Sequence, residues 1–545
     1  MRISFLKFLI LLLISALIMG FSFPFMGGIV PLAFIGLVPL FIFNSEINKI
    51  LKFKGLKRFL GNYLFFFVYN VVTTWWIYNA DPAGGYMAFF FNSFLMTLPF
   101  FLYGFITKYL GSTKGLVALV VLWLSFEHID HFWDLSWPWI SYGNILGNHP
   151  MLIQWYEYSG MAGGTLWILL VNLFIFLIIR NVWIRQEKWS FQTPIILLTV
   201  FSIIIPILSS LFIFYRYTEK IDPVNVVIVQ PNIHPWIKNT NLPGEKWTTP
   251  TSKQLDKILM VAETKLTDST DIIICPETAI SANSDEASLE FLGLTFKLKK
   301  FSENHNNIPF LIGADTYALF DEPRPFPAQK IGNQWKENYN TALLLDANNP
   351  IDIYHKSKLV LGAEKLPFVE IFPFMANLSI SLGGTAGMLK ANASAKNFEA
   401  KGVKYAPLIC YESVYGEFVT NFTAKGAEII CVITNDGWWH NSPGHKQHNM
   451  LSQIRAIENR RSIARSANTG ISCIINQKGE IVDFLGWDKA GAISGKLNRN
   501  TKMTFFVIYG DLLGRISIFM VLGLLLYAIT TKLKGIKADS KSTTK

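Results

Sequence analysis

Cysteine is scarce in this chain. Its 545 residues include only Cys275, Cys410, Cys431 and Cys473. Four thiols so widely spaced exclude a disulfide framework, and no two stand in the CxxC spacing of a zinc site. Three of them fall in apolar, strand-like runs and are expected to be buried and reduced. Charge is scarce as well. Asp, Glu, Lys and Arg make up 16% of the residues, against about 25% in an average soluble domain. With 51% hydrophobic residues and 44 Phe, 16 Trp and 19 Tyr, a membrane protein is the first expectation. Acidic residues are the scarcer kind of charge, and the net charge is +11. Such an excess suits nucleic acid or a membrane surface, and its placement decides which.

Lys and Arg are absent from two stretches, 79–85 and 130–160. The other short loops are basic. Lys49, Lys52, Lys54, Lys57 and Arg58 lie in one, Lys108 and Lys114 in another, Arg180, Arg185 and Lys188 in a third. Lys532, Lys534, Lys537, Lys541 and Lys545 fill the tail. Apolar runs long enough to cross a bilayer lie near 8–20, 24–43, 60–78, 86–107, 114–129, 162–179, 193–215 and 513–530. The first resembles a signal peptide but has no convincing cleavage site, and it reads as a retained helix. Alternation of basic and non-basic loops predicts both termini in the cytoplasm and the long segment after residue 217 outside. The basic excess is therefore topological, and a nucleic-acid role falls away. Loop 130–160 is rich in aromatics, among them Trp133, Trp137, Trp139, Tyr142, Trp155, Tyr156 and Tyr158. An interfacial aromatic belt is the default expectation for it, and a lipid-facing entrance the alternative.

The expected organisation is a membrane domain over 1–217 with seven spans, an extracytoplasmic domain over 218–500, a final span with its approach over 501–530, and a basic tail over 531–545. In the middle segment, short β-branched runs predict strands at Asn225–Gln230, Asp271–Pro276, Pro309–Ala314, Thr341–Asp346, Ala406–Cys410, Glu428–Thr434, Ile471–Asn476 and Glu480–Leu485. Helical patterns at Ser252–Leu266, Ala287–Lys300 and Lys446–Arg461 fall between them, which predicts a layered α/β domain.

Three strand ends carry reactive groups. Cys410 closes the run Pro407–Ile409 and is followed by Tyr411 and Glu412. A lone cysteine in an apolar run is usually a small buried hydrophobe; it becomes a nucleophile only beside a group that takes its proton or stabilises its thiolate. Glu277, in Ile274-Cys-Pro-Glu-Thr278, sits where a carboxylate is partly desolvated, the setting of a general base, although a surface or capping Glu fits that segment equally. Tyr354-His-Lys-Ser-Lys358, leading to Glu364, offers an ammonium for an oxyanion or simply a solvated basic turn. His440, His445 and His448 stand close in sequence without a metal-ligand motif, and no metal is expected.

Glu, Lys and Cys in that order, each ending a strand of one α/β domain, resemble the nitrilase (carbon–nitrogen hydrolase) superfamily. Asn338-Tyr-Asn-Thr341, Thr434-Asn-Asp-Gly-Trp-Trp439, Arg455-Ala-Ile-Glu-Asn-Arg-Arg461 and Arg465-Ser-Ala-Asn-Thr-Gly-Ile471 extend the match over about 280 residues. Seven spans, the domain and one closing span resemble its membrane-embedded apolipoprotein N-acyltransferase branch, as does Trp137-Pro-Trp-Ile-Ser-Tyr-Gly143. The resemblance implies a bundle of about eight transmembrane helices plus an α-β-β-α sandwich in a bacterial cytoplasmic membrane, with the domain on the outer face. It implies Glu277, Lys356 and Cys410 as the catalytic set, with Glu364, Tyr411 and Glu412 in support. Trp236, Trp438 and Trp439 are candidate substrate-binding residues. Trp236 stands in the region of the family's mobile tryptophan but off its usual offset, Cys275 replaces a common Trp, and Leu361-Gly-Ala-Glu364 replaces Pro-Phe-Gly-Glu.

The implied reaction moves an acyl chain from the sn-1 position of a phospholipid, such as phosphatidylethanolamine, through a Cys410 thioester to the α-amine of a diacylglyceryl apolipoprotein. It needs no cofactor and is expected of a monomer. Two alternatives stand beside it. One is a membrane-anchored nitrilase-type amidase or hydrolase, against which seven leading spans count, since one suffices as an anchor. The other is a transporter or receptor, against which the few charges within the spans count. The apolar run Val369–Leu382 is expected either to pack in the core or to form a lip that dips toward the bilayer.

Overall fold

The structure, a computed structural model, describes residues 5–50, 54–80, 82–237, 240–368, 371, 389–392 and 394–542. All of the run Val369–Leu382 except Ile371 lies outside the described residues. The chain divides into two compact units, one of residues 1–75, 86–213 and 511–545 and one of residues 76–85 and 214–510.

Among the described residues, seven helices are long and apolar enough to cross a membrane. They are Phe5–Ser22, Val30–Ile47, Gly84–Leu110, Ser112–Ile129, Tyr156–Ile184, Trp189–Arg216 and Leu512–Lys534. The remaining expected span, near 60–78, folds as the helix Lys54–Thr74 but stays below that apolarity, because it carries a polar face. Asn62 exchanges side-chain hydrogen bonds with Asn44 at 2.7 and 3.1 Å, and Asn70 donates to Ser93 Oγ at 3.2 Å and accepts from Asn92 at 2.8 Å. These amides face protein, since an unpartnered amide in hydrocarbon costs several kcal/mol (roughly).

Part of the aromatic loop turns inward. Trp139, Tyr142 and Tyr156 are fully buried within the helical unit. Tyr142 stacks on Trp123 at 4.7 Å, and Trp123 on Phe66 at 5.3 Å. The Glu127 carboxylate fixes the loop by accepting from Tyr142 N, Trp123 Nε1 and Thr165 Oγ1 at 2.9, 2.9 and 2.6 Å. Tyr158 and Phe132 alone of this group's larger rings remain more than half exposed.

The second unit is built on strands β1 (Pro223–Gln230), β2 (Ile272–Ile274), β3 (Ile280–Asp285), β4 (Phe310–Phe320), β5 (Gln329–Ile331), β6 (Gln334–Leu345), β7 (Asp352–His355), β8 (Phe398–Ala400), β9 (Val403–Ile409), β10 (Ile429–Thr434), β11 (Ile463–Ala467), β12 (Ser472–Ile475), β13 (Ile481–Leu485) and β14 (Gly491–Asn498). One sheet runs β14-β1-β2-β4-β6-β5, with β3 on β4 and β7 on β6. The other runs β13-β12-β11-β10-β9-β8. Alternate residues of the first sheet, such as Val226, Ile228, Ile274 and Leu311, meet Leu408, Ile430, Val432 and Ile474 of the second in one core. The opposite face of the first sheet, including Val227, Ile273 and Ile312, takes Leu255, Ile258 and Leu298 from the helices Thr251–Glu263 and Gly293–Asn304. Helices Gly416–Ala424 and Pro443–Asn459 cover the second sheet, giving the α-β-β-α layering.

All eight expected strands are present. Strands β1, β2 and β4 are parallel neighbours, as are β9, β10 and β11. Strand ends therefore gather on one side of each sheet, where the reactive residues lie.

Candidate active site

Glu277 follows β2 across Cys275-Pro276 and is 5% exposed. Its approach to β4 depends on Gly313, where a Cβ would stand 2.6 Å from Glu277 Cα and 2.5 Å from Thr278 N. Lys356 follows β7 and is 1% exposed. Its Nζ donates to Glu277 Oε1 at 3.1 Å and to Glu364 Oε1 at 2.9 Å. Asn340 Nδ2 on β6 reaches the same two oxygens, at 2.8 and 2.9 Å. Asn435 N donates to Glu277 Oε2 at 3.0 Å, and Val360 N to Glu364 Oε2 at 2.8 Å. Two carboxylates thus share one ammonium, and each has its remaining oxygen occupied by a backbone donor.

Burial pulls the Lys356 ammonium down, but Glu277 and Glu364 outweigh it and hold it well above its ordinary value. Lys356 is therefore a fixed cation. Cys410, immediately after β9, opens the turn Cys410–Val414 and is buried, with φ at +51°. That left-handed conformation is costly for a residue with a Cβ and marks a site held by its surroundings. Burial pushes the Cys410 thiol up, Glu277 pushes it further, and Lys356 opposes both. Burial and Glu277 thus favour the thiol over the thiolate, and a thiol reacts as a nucleophile only as a base removes its proton.

Glu412 joins the cysteine turn to the lysine loop. Its Oε1 accepts from Tyr354 Oη and Ser357 N, both at 2.6 Å, and its Oε2 from Ile409 N at 2.8 Å. Burial raises its carboxyl to about 7 despite these three donors. A Glu412→Gln substitution turns an amide N–H toward one of those backbone N–H groups. About 1–3 kcal/mol of stability should be lost for the orphaned donor, read as a lower thermal midpoint in detergent and reduced turnover.

Tyr411 is buried and packs edge-on against Tyr415 at 5.2 Å. Trp236 and Trp438 meet at 5.7 Å, with Trp247 6.1 Å from Trp438. Trp439 turns elsewhere, to Trp76 at 4.9 Å and His448 at 5.7 Å. The expected tryptophan group is thus two clusters on one turn. The three histidines also separate: His440 contacts Asn241 Oδ1, His445 lies on Trp487, and His448 pairs with Asp436.

Sequence reasoning missed several residues here. Asn340 and Asn435 lay inside quoted motifs without an assigned role. Lys246 carried no signal at all; it is buried and donates to Thr278 O, Thr278 Oγ1 and Ser281 Oγ at 2.9, 2.8 and 2.9 Å, bracing the chain just past Glu277. The Arg455–Arg461 motif proves structural in its contacts: Arg455 Nε pairs with Glu458 at 3.0 Å and Arg461 Nε donates to Ala427 O at 2.7 Å.

Asp436 is fully buried, and although burial opposes ionisation, Arg465 and His448 hold its carboxyl down at about 2. A carboxyl lowered from 3.8 adds about 2 kcal/mol of stability above the unfolded value. That contribution is lost as pH falls through 2. Asp436→Asn should remove this acid-labile increment, seen as a lower thermal midpoint at pH 7 with a flatter acid limb.

A family model described as carbon–nitrogen hydrolase matches residues 226–502, and one described as the apolipoprotein N-acyltransferase N-terminal domain matches residues 15–174. A Chlorobaculum tepidum protein named apolipoprotein N-acyltransferase is 28% identical over 518 residues, covering 92% of each chain. A Borreliella burgdorferi protein of the same name and a Treponema denticola protein named apolipoprotein N-acyltransferase 1 are 26% and 25% identical, covering 90% and 88% of this chain and 89% and 88% of their own.

Proposed function

Because the chain belongs to the carbon–nitrogen hydrolase family, with the model spanning residues 226–502, we propose that it is an apolipoprotein N-acyltransferase of the bacterial cytoplasmic membrane. Its donor is a phospholipid, and its acceptor the N-terminal S-diacylglyceryl cysteine of a lipoprotein. Support comes from relatives of that name along nearly the whole chain and from seven apolar helices among the described residues. The observation that carries the chemistry is one buried ammonium, Lys356, hydrogen-bonded to Glu277 and exerting its charge on Cys410.

In this reading Glu277 takes the Cys410 proton as sulfur attacks the sn-1 ester carbonyl. Lys356 faces the oxyanion, already oriented and dry, so no reorganisation is needed as charge develops. The tetrahedral adduct collapses with cleavage of the ester C–O bond, Glu277 returns the proton to the departing oxygen, and a lysophospholipid leaves. The acceptor amine then attacks the thioester, loses its proton to Glu277, and Cys410 departs and is reprotonated. A thioester suits the second half because it is a better acyl donor to amines than an oxygen ester is. Glu364 keeps Lys356 in place when Glu277 is protonated, and Glu412 fixes the cysteine turn. The charge pattern of the loops favours both termini inside and residues 218–500 on the outer face.

Intact-protein mass spectrometry after incubation with phosphatidylethanolamine tests the reading. A hydroxylamine-sensitive acyl adduct on Cys410 that clears only when a diacylglyceryl lipopeptide is added is the expected result. Clearance by water alone identifies the amidase or hydrolase instead, and no adduct with any phospholipid overturns the acyltransferase.

A further inference from the structure

His448, Asp436, Arg465 and Ser413 form a polar cluster of fully buried side chains against the cysteine turn. Each comes from a different segment: the helix Pro443–Asn459, the turn after β10, strand β11, and the turn opened by Cys410. His448 Nδ1 stands 2.8 Å from Asp436 Oδ1, and Arg465 Nη2 donates to Asp436 Oδ2 at 2.7 Å. Arg465 Nη2 also lies 3.1 Å from His448 Nδ1. On the other edge of the ring, Nε2 is 3.2 Å from the Cys410 carbonyl oxygen and 3.0 Å from Ser413 Oγ. The Ser413 hydroxyl donates to that same carbonyl at 2.8 Å.

We propose that His448, oriented by Asp436 and Arg465, is the positioning residue for Cys410, holding the nucleophile's strained backbone through the Cys410 carbonyl and Ser413. The inference deepens the acyl-transfer reading and rests on it for the role of Cys410. Left alone, a non-glycine residue at φ +51° relaxes toward the right-handed or extended region. A peptide carbonyl gripped from its own turn and from a helix across the sheet end cannot rotate without breaking both contacts. The thiol is then kept on the side where Glu277 and Lys356 act on it. A histidine serving only as packing has no need of a buried ion pair to orient it, and burying such a pair is costly unless its geometry is kept. The Trp439 ring lies edge-on to the same imidazole at 5.7 Å, so the tryptophan turn rests against the group that holds the nucleophile.

The test uses detergent-purified full-length protein: wild type, His448→Gln and Ser413→Ala. Two rates are measured, alkylation of Cys410 by iodoacetamide, followed by mass spectrometry, and acyl transfer from phosphatidylethanolamine with kcat and KM resolved. Misplacement of a reacting atom by about 1 Å costs roughly 100-fold. Both variants should therefore lose about that factor in alkylation and kcat, with KM for the phospholipid little changed; the thermal midpoint should hold in Ser413→Ala and fall in His448→Gln only by what the loss of the Asp436 contact accounts for. Wild-type alkylation and turnover in Ser413→Ala and His448→Gln overturn the proposal. So does a loss that tracks a lower thermal midpoint and raises KM in step, which marks general packing. Should His448→Gln fail to fold, Ser413→Ala decides by the same criteria. If wild-type Cys410 alkylates but never accepts an acyl chain, the acyl-transfer reading fails, and the alkylation series still decides the role of His448.

Discussion

Cys410→Ala is expected to abolish acyl-adduct formation and lipopeptide acylation, a loss of about 10⁴-fold or more, as for the nucleophile of other covalent enzymes. The fold should survive, because the alanine Cβ keeps the packing around a small buried side chain and no hydrogen bond of the Glu277–Lys356–Glu364 group passes through the sulfur. A companion measurement sharpens this. The thiol is pushed up by burial and by Glu277, so little thiolate exists near neutral pH. Wild-type Cys410 should therefore alkylate slowly at pH 7 and faster as pH rises, while reacting quickly with the lipid ester that brings its carbonyl under Lys356. Prompt alkylation at pH 7 with a flat profile would show a preformed thiolate and remove the need for Glu277 as a base. A binding protein or receptor should tolerate the alanine; either enzyme should not.

Lys356→Met is expected to damage both activity and stability. The lysine is 1% exposed and is the shared cation between Glu277 and Glu364. Removing it leaves two carboxylates bridged only by the Asn340 amide. Breaking a buried ion pair in this way costs about 3–5 kcal/mol, because the remaining charge is uncompensated. The protein should respond by taking up a proton, so its unfolding midpoint should become more pH-dependent than that of the wild type and recover on acidification. Turnover should fall about as far as for Cys410→Ala, since the oxyanion loses its cation. Adding Glu364→Gln to Lys356→Met should restore part of the stability and none of the turnover. A double variant no more stable than the single one would mean that the carboxylates do not repel as the geometry requires.

The sequence by itself determined the architecture through patterns with short physical range. Runs near 20 residues without charge require helices in a bilayer, and six-residue β-branched runs separated by helical stretches require a layered α/β domain. All eight strands expected in that way are present, and the order of Glu277, Lys356 and Cys410 along them was legible as three reactive groups at three strand ends. Strands without an apolar run escaped. Strand β14, Gly491–Asn498, carries Gly491, Gly495 and Lys496, and β11 carries Arg465; both are strands because neighbours pair with them, not because their residues prefer it.

Only the tertiary structure decided which side chains meet. Lys356 and Glu364 are eight residues apart, but Glu277 is 79 residues from Lys356 and joins it at 3.1 Å because β2, β4 and β6 lie side by side. Lys246 gave no local sign of function, and Asn340, Asn435, Asp436, His448 and Arg465 stood in noted segments without a role, since a buried polar residue looks like a solvated one until its partners are known. The aromatic loop shows the converse. Trp139, Tyr142 and Tyr156 read as interfacial by composition, yet they are interior: Glu127 and Trp123 partner Tyr142 there, Gly143 O accepts from Tyr156 Oη, and Trp139 stacks on Trp137. Periodicity reports which face of an element is apolar; burial and charge pairing depend on what the fold brings against that face.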